Sequence, residues 1–271
     1  APPVITSISP TRGVPVTTQV TLQGSNFNTD PTQLAVYFGG VKASVVAATA
    51  STVTVQVPKG AACSPISLTD LASGRTATSA ATFIPAFDNG RDFGGMINQA
   101  TLGDALAITV ATSSGGMRVA DMDGDGWNDL IVGESSTTRQ FSIFLNTGTS
   151  NALSAATFAP KVTFTTAQPY SKAFVAIADF DGDGKLDLAF SEAGVFNAYV
   201  SVYRNTSTTG ALSFTGPTTI QGLSYSDGPL EAADLDGDGR PEIISVFNNS
   251  CASGARLYVF PNRSSPGILD F

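Results

Sequence analysis

The sequence predicts an all-β chain in two parts: a β-sandwich over residues 1–86, then three β-propeller-type blades, a partial or open propeller, over residues 87–271. Three observations predict it. The composition is rich in Thr, Ser, Gly, Val and Ala and only 13% charged, with no sustained helical periodicity. Residues 1–86 alternate apolar and polar in short runs between turn signals. Beyond them one acidic loop recurs three times, at periods of 58 and 55 residues, the self-similarity of stacked repeats.

The sandwich strands follow from alternation. Residues 18–24 put Val20 and Leu22 on one face and Gln19, Thr21 and Gln23 on the other; residues 52–57 point Val53, Val55 and Val57 inward; Ile66 and Leu68 repeat the pattern. Gly24-Ser25-Asn26, Asp30-Pro31, Gly39-Gly40, Pro58-Lys59-Gly60 and Ser73-Gly74 supply the turns. Residues 83–93, with a Pro, a Gly and local charge, mark the junction. In the second part each loop is entered by MRVAD, VAIAD or LEAAD and left by DLIVGE, DLAFSE or EIISVF. A third strand then ends at Asn146, Asn205 or Asn262, and an aromatic, Phe158, Phe214 or Phe271, is expected to close the unit. Four short strands per repeat are the content of one propeller blade. Three blades do not close an ordinary ring, so the expectation is a fragment of a larger propeller, with an open array or pairing with another chain as alternatives.

The loops read Asp121, Asp123, Asp125, Asp129; then Asp179, Asp181, Asp183, Asp187; then Asp234, Asp236, Asp238, Glu242. Carboxylates this dense repel one another unless a hard cation sits among them, and Ca²⁺ suits the pattern because it takes ~6–8 oxygen ligands at ~2.3–2.6 Å in tolerant geometry. Gly126, Gly184 and Gly239 allow the tight turn. An EF-hand needs a Glu at loop position 12 between two helices; Val132, Phe190 and Ser245 stand there, on β-type flanks. The loops hold 12 of the 22 acidic residues, and three divalent ions would take the formal charge from −8 to about −2. Acidity is here a metal-site signature, and no basic stripe suggests nucleic acid.

The chain has no histidine, which removes His-dependent triads, bases and zinc sites. No nucleophile elbow, P-loop or dinucleotide fingerprint occurs. Asp104, Glu134, Glu192, Asp227 and Glu231 are the acidic residues available to a carboxylate-pair hydrolase, and surface solvation is the expected role of each. No run of 18 apolar residues spans a membrane. The chain opens Ala1-Pro2-Pro3 without a signal peptide, read as absent or already removed. Cys63 and Cys251 form either one disulfide or two buried thiols. Trp127, at a position held by Lys185 and Arg240 in the sister loops, is either a contact platform or a ring packed on a neighbouring strand. The sequons at Asn205, Asn248 and Asn262 occur at chance level for a Ser/Thr-rich chain.

The strings PVITSISPTRGVPVTTQVTLQGSNF, VYFGGVKASVV, STVTVQVPKG and PISLTD resemble the immunoglobulin-like IPT/TIG domain over residues 3–84. Residues 93–271 resemble the FG-GAP/VCBS repeats of bacterial secreted or surface proteins, also met in the calcium-bearing blades of integrin α-chains. That resemblance implies ligation by the side chains at loop positions 1, 3, 5 and 9 and the carbonyl at position 7. Carried over, the sites are Asp121, Asp123, Asp125, Trp127 (carbonyl) and Asp129; Asp179, Asp181, Asp183, Lys185 (carbonyl) and Asp187; and Asp234, Asp236, Asp238, Arg240 (carbonyl) and Glu242, about three Ca²⁺ ions in all. The longer Glu242 implies a looser third site or a slightly displaced ion. The implied function is non-enzymatic recognition or adhesion at a cell surface, towards glycan or protein, by a secreted or surface-borne module without membrane insertion. The alternative is an architectural spacer or scaffold within a larger secreted enzyme or adhesin, with the remaining blades, or another copy, as neighbours.

Overall fold

The computed structural model describes residues 1–86, 105–110, 114–134, 140–148, 153–166, 174–193, 197–224, 228–248 and 255–271. Cys251, Asp104, Asp227 and most of the expected junction lie outside these residues; Cys63, expected as a buried thiol if unpaired, is instead exposed.

The first domain contains β1 (Val4–Ser9), β2 (Arg12–Gly13), β3 (Gln19–Ser25), β4 (Leu34–Phe38), β5 (Val41–Ala48), β6 (Thr52–Gln56), β7 (Ser64–Asp70) and β8 (Arg75–Pro85). They hydrogen-bond in the order β1-β3-β6-β5-β4-β7-β8-β2. One strand joins the two layers: the start of β5 pairs with β4, its remainder with β6, and the register shifts between Val45 and Ala47. A shift of this kind bends a strand and lets it turn the corner of a sandwich. Val20, Leu22, Val53, Val55 and Val57 meet Val36, Phe38, Ile66, Leu68 and Phe83 in the core, each fully excluded from solvent. The valines expected to point inward do so.

Every residue of β4 is buried. Leu34, Val36 and Phe38 face the sandwich core, while Ala35 and Tyr37 belong to a second apolar cluster shared with the repeats. A strand covered on both faces reads as the continuous apolar run LAVYF, without alternation.

The first repeat is an antiparallel meander of β9 (Ser114–Ala120), β10 (Asp129–Glu134), β11 (Gln140–Phe144) and β12 (Val162–Thr165). The second has the same order: β13 (Phe174–Ala178), β14 (Asp187–Ala193), β15 (Asn197–Asn205) and β16 (Phe214–Ser224). The third shows β17 (Leu230–Ala233), β18 (Glu242–Asn248) and β19 (Ala255–Phe260). The acidic loops join the first strand of each repeat to the second. The first strands lie next to one another, β13 between β9 and β17. Arg118 of β9 also reaches the Leu230 carbonyl and the Glu231 carboxylate of β17, both at 3.3 Å.

The repeats pack face to face. Phe141 of the first stacks on Phe190 of the second with centroids 4.6 Å apart. Ala176, Val200 and Val202 of the second bury against Leu230 and Ile243 of the third. Two of the expected closing aromatics, Phe158 and Phe214, take a different place. Phe214 opens β16, and Phe158 precedes β12, so the aromatic introduces the fourth strand instead of ending the unit. It serves as a plug into the preceding repeat: Phe214 lies edge-on to Phe141 and Phe164, and Phe271 edge-on to Phe180.

Candidate metal centres

Each loop folds round its own carboxylates. Asp121 accepts the backbone N–H groups of Gly124 (2.8 Å), Asp125 (3.1 Å) and Gly126 (2.9 Å), curling the chain about its head group. Asp129 Oδ2 accepts from Met122 and Oδ1 from Asn146, both at 2.8 Å, so position 9 ties the loop to the end of β11. The second loop repeats this: Asp179 accepts from Gly184 (2.9 Å), and Asp187 from Phe180 (3.0 Å) and Asn205 (2.8 Å). In the third, Asp234 accepts from Gly237 (2.8 Å) and Gly239 (2.9 Å), and Glu242 from Leu235 (2.7 Å).

The structure brings positions 1, 3 and 9 together in every loop. Asp121, Asp123 and Asp129; Asp179, Asp181 and Asp187; and Asp234, Asp236 and Glu242 each present carboxylate oxygens within 4.8 Å of one another. That is about twice a Ca–O distance, so one ion can touch all three. The position-5 carboxylates lie outside these clusters. Asp125 accepts from the Trp127 N–H (2.8 Å), Asp183 pairs with Arg204, and Asp238 pairs with Arg75. The first two clusters are buried; in the third, Asp234 and Asp236 are exposed.

Burial among like charges leaves its mark on the acids. Desolvation first, and the neighbouring carboxylates second, raise Asp121 to about 6, Asp129 to about 7 and Asp179 to about 7; two or more backbone N–H donors pull the other way on Asp121 and Asp129. Burial raises Asp187 well above its ordinary value. Asp179 Oδ1 is buried with no hydrogen-bond partner among the described residues. A buried, unsatisfied carboxylate oxygen among convergent acids fits a hard cation.

Neighbouring units close over the loops. Asn205 Nδ2 donates to the Met122 carbonyl of the first loop and the Leu186 carbonyl of its own, both at 2.9 Å. Asn262 does the same one repeat later, to Phe180 and Pro241, at 2.9 Å each. A turn beyond each asparagine reaches the position-3 carboxylate of the preceding loop: Gly210 N–H to Asp123 (2.6 Å), Gly267 N–H to Asp181 (2.9 Å). The sequence showed the recurring asparagine but not this bond. Its amide is buried and engaged in both repeats.

The first domain caps all three loops. Asp121 N–H donates to the Gly40 carbonyl and Asn128 Nδ2 to the Gly60 carbonyl, both at 2.7 Å. Tyr37 donates to the Gly184 carbonyl. Arg75 holds the Asp238 carbonyl (2.6 Å) and carboxylate (2.7 Å), and Thr76 N–H donates to Gly239 (2.6 Å). Lys59 Nζ lies 4.1 Å from the centre of the Trp127 ring, which also sits so close to Gly148 that a Cβ there would meet it. The indole is therefore part of the joint between domain and loop.

Two acids expected at the surface are fully buried. Glu134 pairs with Lys161 at 3.0 Å, and Glu192 accepts from the Ser201 hydroxyl at 2.9 Å. They hold the same position after the loop in consecutive repeats, where packing of the strands covers them. Glu231 is exposed.

Residues 3–83 match the family profile of the IPT/TIG domain. Residues 98–190 and 193–245, more than half of the chain, match that of the FG-GAP-like repeat. The chain belongs to the FG-GAP-like repeat family, with an IPT/TIG domain ahead of the repeats. Among solved structures it is similar to an auxiliary nutrient binding protein from Bacteroides thetaiotaomicron, at 13% identity and TM-score 0.30, over 96% of this chain and 70% of that one. A second auxiliary nutrient binding protein, from Bacteroides ovatus, gives 14% and 0.31 over 97% and 84%. A putative phosphatase from Bacteroides thetaiotaomicron gives 17% and 0.29 over 91% and 53%. No curated protein matches the chain. Among the described residues no helix is long and apolar enough to cross a membrane, and domains of the IPT/TIG and FG-GAP-like kinds are typical of extracellular proteins.

Proposed function

We propose that this FG-GAP-like chain is a calcium-stabilised extracellular module in which ions in the acidic loops fix the repeats to one another and to the IPT/TIG domain. The observation that carries the reading is the closure of the loops: the first two by the next repeat, and all three by the first domain. A cation bound there would neutralise acids that burial and mutual repulsion otherwise penalise, and so stabilise the joint. Asp121, Asp123 and Asp129, with their counterparts Asp179, Asp181 and Asp187 and Asp234, Asp236 and Glu242, would hold it. The ion supplies charge and coordination only; no catalytic step is assigned to the chain.

Recognition of a surface glycan or protein is a second reading, favoured by one cleft. A cavity of about 300 Å³ opens between Tyr37 and Lys42 of the first domain, Asp123 of the first loop, and Lys185, Asn205 and Thr208 of the second repeat. Its size and mixed polarity suit a small polar group of a ligand.

A thermal melt in chelator and again in millimolar Ca²⁺, beside a calorimetric titration, tests the primary reading. The expected result is a large rise in Tm with up to three ions bound. An unchanged Tm without binding would overturn it. Saturable binding of glycan or protein that Lys42→Ala abolishes would establish the second.

A further inference from the structure

The three loops differ in the cations the protein itself brings to them. In the first, among the described residues, no Arg or Lys pairs with Asp121, Asp123, Asp125 or Asp129. In the third, Arg75 pairs with Asp238, a carboxylate outside the ligand cluster, at 2.7 Å, and Arg240 lies 4.0 Å from the same oxygen. In the second, Arg204 Nε contacts Asp181 Oδ2 and Nη2 contacts Asp183 Oδ2, each at 2.5 Å. Asp181 belongs to the cluster, and its side chain is wholly buried. Among the described residues, a fixed cation thus engages a cluster carboxylate in the second loop alone.

The repeat register shows why. Arg204 immediately precedes the strand-end Asn205, and the matching residues before Asn146 and Asn262 are Leu145 and Pro261. In other respects Asp181 and Asp123 are alike: each accepts the N–H two residues on and the glycine N–H of the next repeat.

We propose that Arg204 is a resident counter-ion of the second loop, and that the loops are therefore graded metal sites, with the first tightest and the second weakest. The proposal rests on the metal reading above. A divalent ion using Asp181 must share that carboxylate with a full positive charge a few ångströms away, and like charges repel most where water is excluded. Asp179 still offers its unsatisfied oxygen, so the site is weakened, not abolished. The first loop combines burial with carboxylates that no described Arg or Lys pairs with, which strengthens attraction for a cation. The third is exposed at Asp234 and Asp236, where water and salt screen it.

Trp127, the single tryptophan, lies in the first loop and makes this site readable by itself. Terbium(III), an oxygen-seeking ion close to calcium in size, emits when a nearby indole passes it excitation energy, and that transfer falls steeply with distance. The experiment titrates chelator-stripped protein with Ca²⁺ by calorimetry and with Tb³⁺ by Trp-excited luminescence, in the native chain and in Arg204→Leu, which installs the residue of the first repeat. The native chain is expected to bind in unequal classes, with luminescence saturating at the first equivalent. Arg204→Leu is expected to tighten the weakest class by about tenfold or more and leave the first unchanged. Luminescence rising only in the last phase, or a folded Arg204→Leu with unaltered weak binding, would overturn the grading while leaving the metal reading intact. No binding of either ion would overturn both. Should Arg204→Leu fail to fold, the order of filling in the native chain decides by itself.

Discussion

Tyr37 of the first domain gives its hydroxyl hydrogen to the carbonyl of Gly184, 147 residues further on in the second acidic loop. Its ring lies in the apolar cluster that also holds Met122 and Leu186, so one side chain supplies both packing and a polar bond across the joint. Burial, with the charges of Asp179 and Asp121 behind it, raises the phenol well above its ordinary value and keeps it a donor.

Tyr37→Phe keeps the ring and removes the bond, leaving a buried carbonyl unsatisfied. The expected loss is about 1–3 kcal/mol, read from urea unfolding in calcium. An unchanged midpoint would mean that the hydroxyl contributes nothing to the joint.

A pair of glycine variants separates contact from backbone strain. Gly182 and Gly237 hold the same place in the second and third loops, with φ of +72° and +78°. A Cβ on Gly182 would sit 2.5 Å from the Cα and carbonyl oxygen of Gly74 in the first domain, whereas one on Gly237 meets nothing within 4 Å. Both alanine variants share the left-handed penalty of roughly 1–2 kcal/mol. Gly182→Ala is expected to lose roughly 1–3 kcal/mol more. Equal losses in parallel unfolding curves would remove the argument for close packing at this contact.

Much of this arrangement is local and therefore legible in sequence. Alternation placed Val20, Leu22, Val53 and Val55 in the core, because a strand's period of two decides its faces. The loop acids announce themselves by spacing. The rest depends on residues far apart in the chain. Glu134 and Glu192 read as surface acids because an isolated carboxylate is ordinarily solvated; their burial and their partners Lys161 and Ser201 follow from how the strands pack. Arg75 and Arg204 carry no motif, and only the fold sets them against Asp238 and Asp181. The run LAVYF was the one local hint that β4 is covered on both sides.

Without metal, pH acts on the joint in a direction fixed by the raised acids. Asp121 at about 6, and Asp129 and Asp179 at about 7, stand above the 3.8 of an unperturbed Asp. Between pH ~4 and ~7 the folded chain therefore holds more protons than the unfolded one, and stability falls as pH rises through that window. Melts in chelator are expected to give a higher Tm at about pH 5 than at about pH 7.5. Calcium should reverse the order, because the ion requires the deprotonated carboxylates and its binding displaces their protons. The same order in both conditions would separate the acids from the metal.

The strand-end asparagines supply the sharpest test of how one repeat holds the next. Asn205 Nδ2 satisfies two buried carbonyls, Met122 and Leu186, while its Oδ1 accepts the Ser207 N–H at 2.8 Å. Alanine there leaves all three groups without that partner, and the expected loss is about 2–4 kcal/mol. Asn262→Ala should behave alike, since its bonds to Phe180, Pro241 and Ser264 repeat the pattern. Asn146 is the internal control. It sits at the same point in the first repeat and accepts from Gly148 at 3.0 Å, but among the described residues no repeat precedes it to supply a loop carbonyl. Asn146→Ala is therefore expected to lose only about 1 kcal/mol. If all three variants lose equally, the turn after the asparagine carries the energy. If the second and third lose more, it lies in the bond across the repeats.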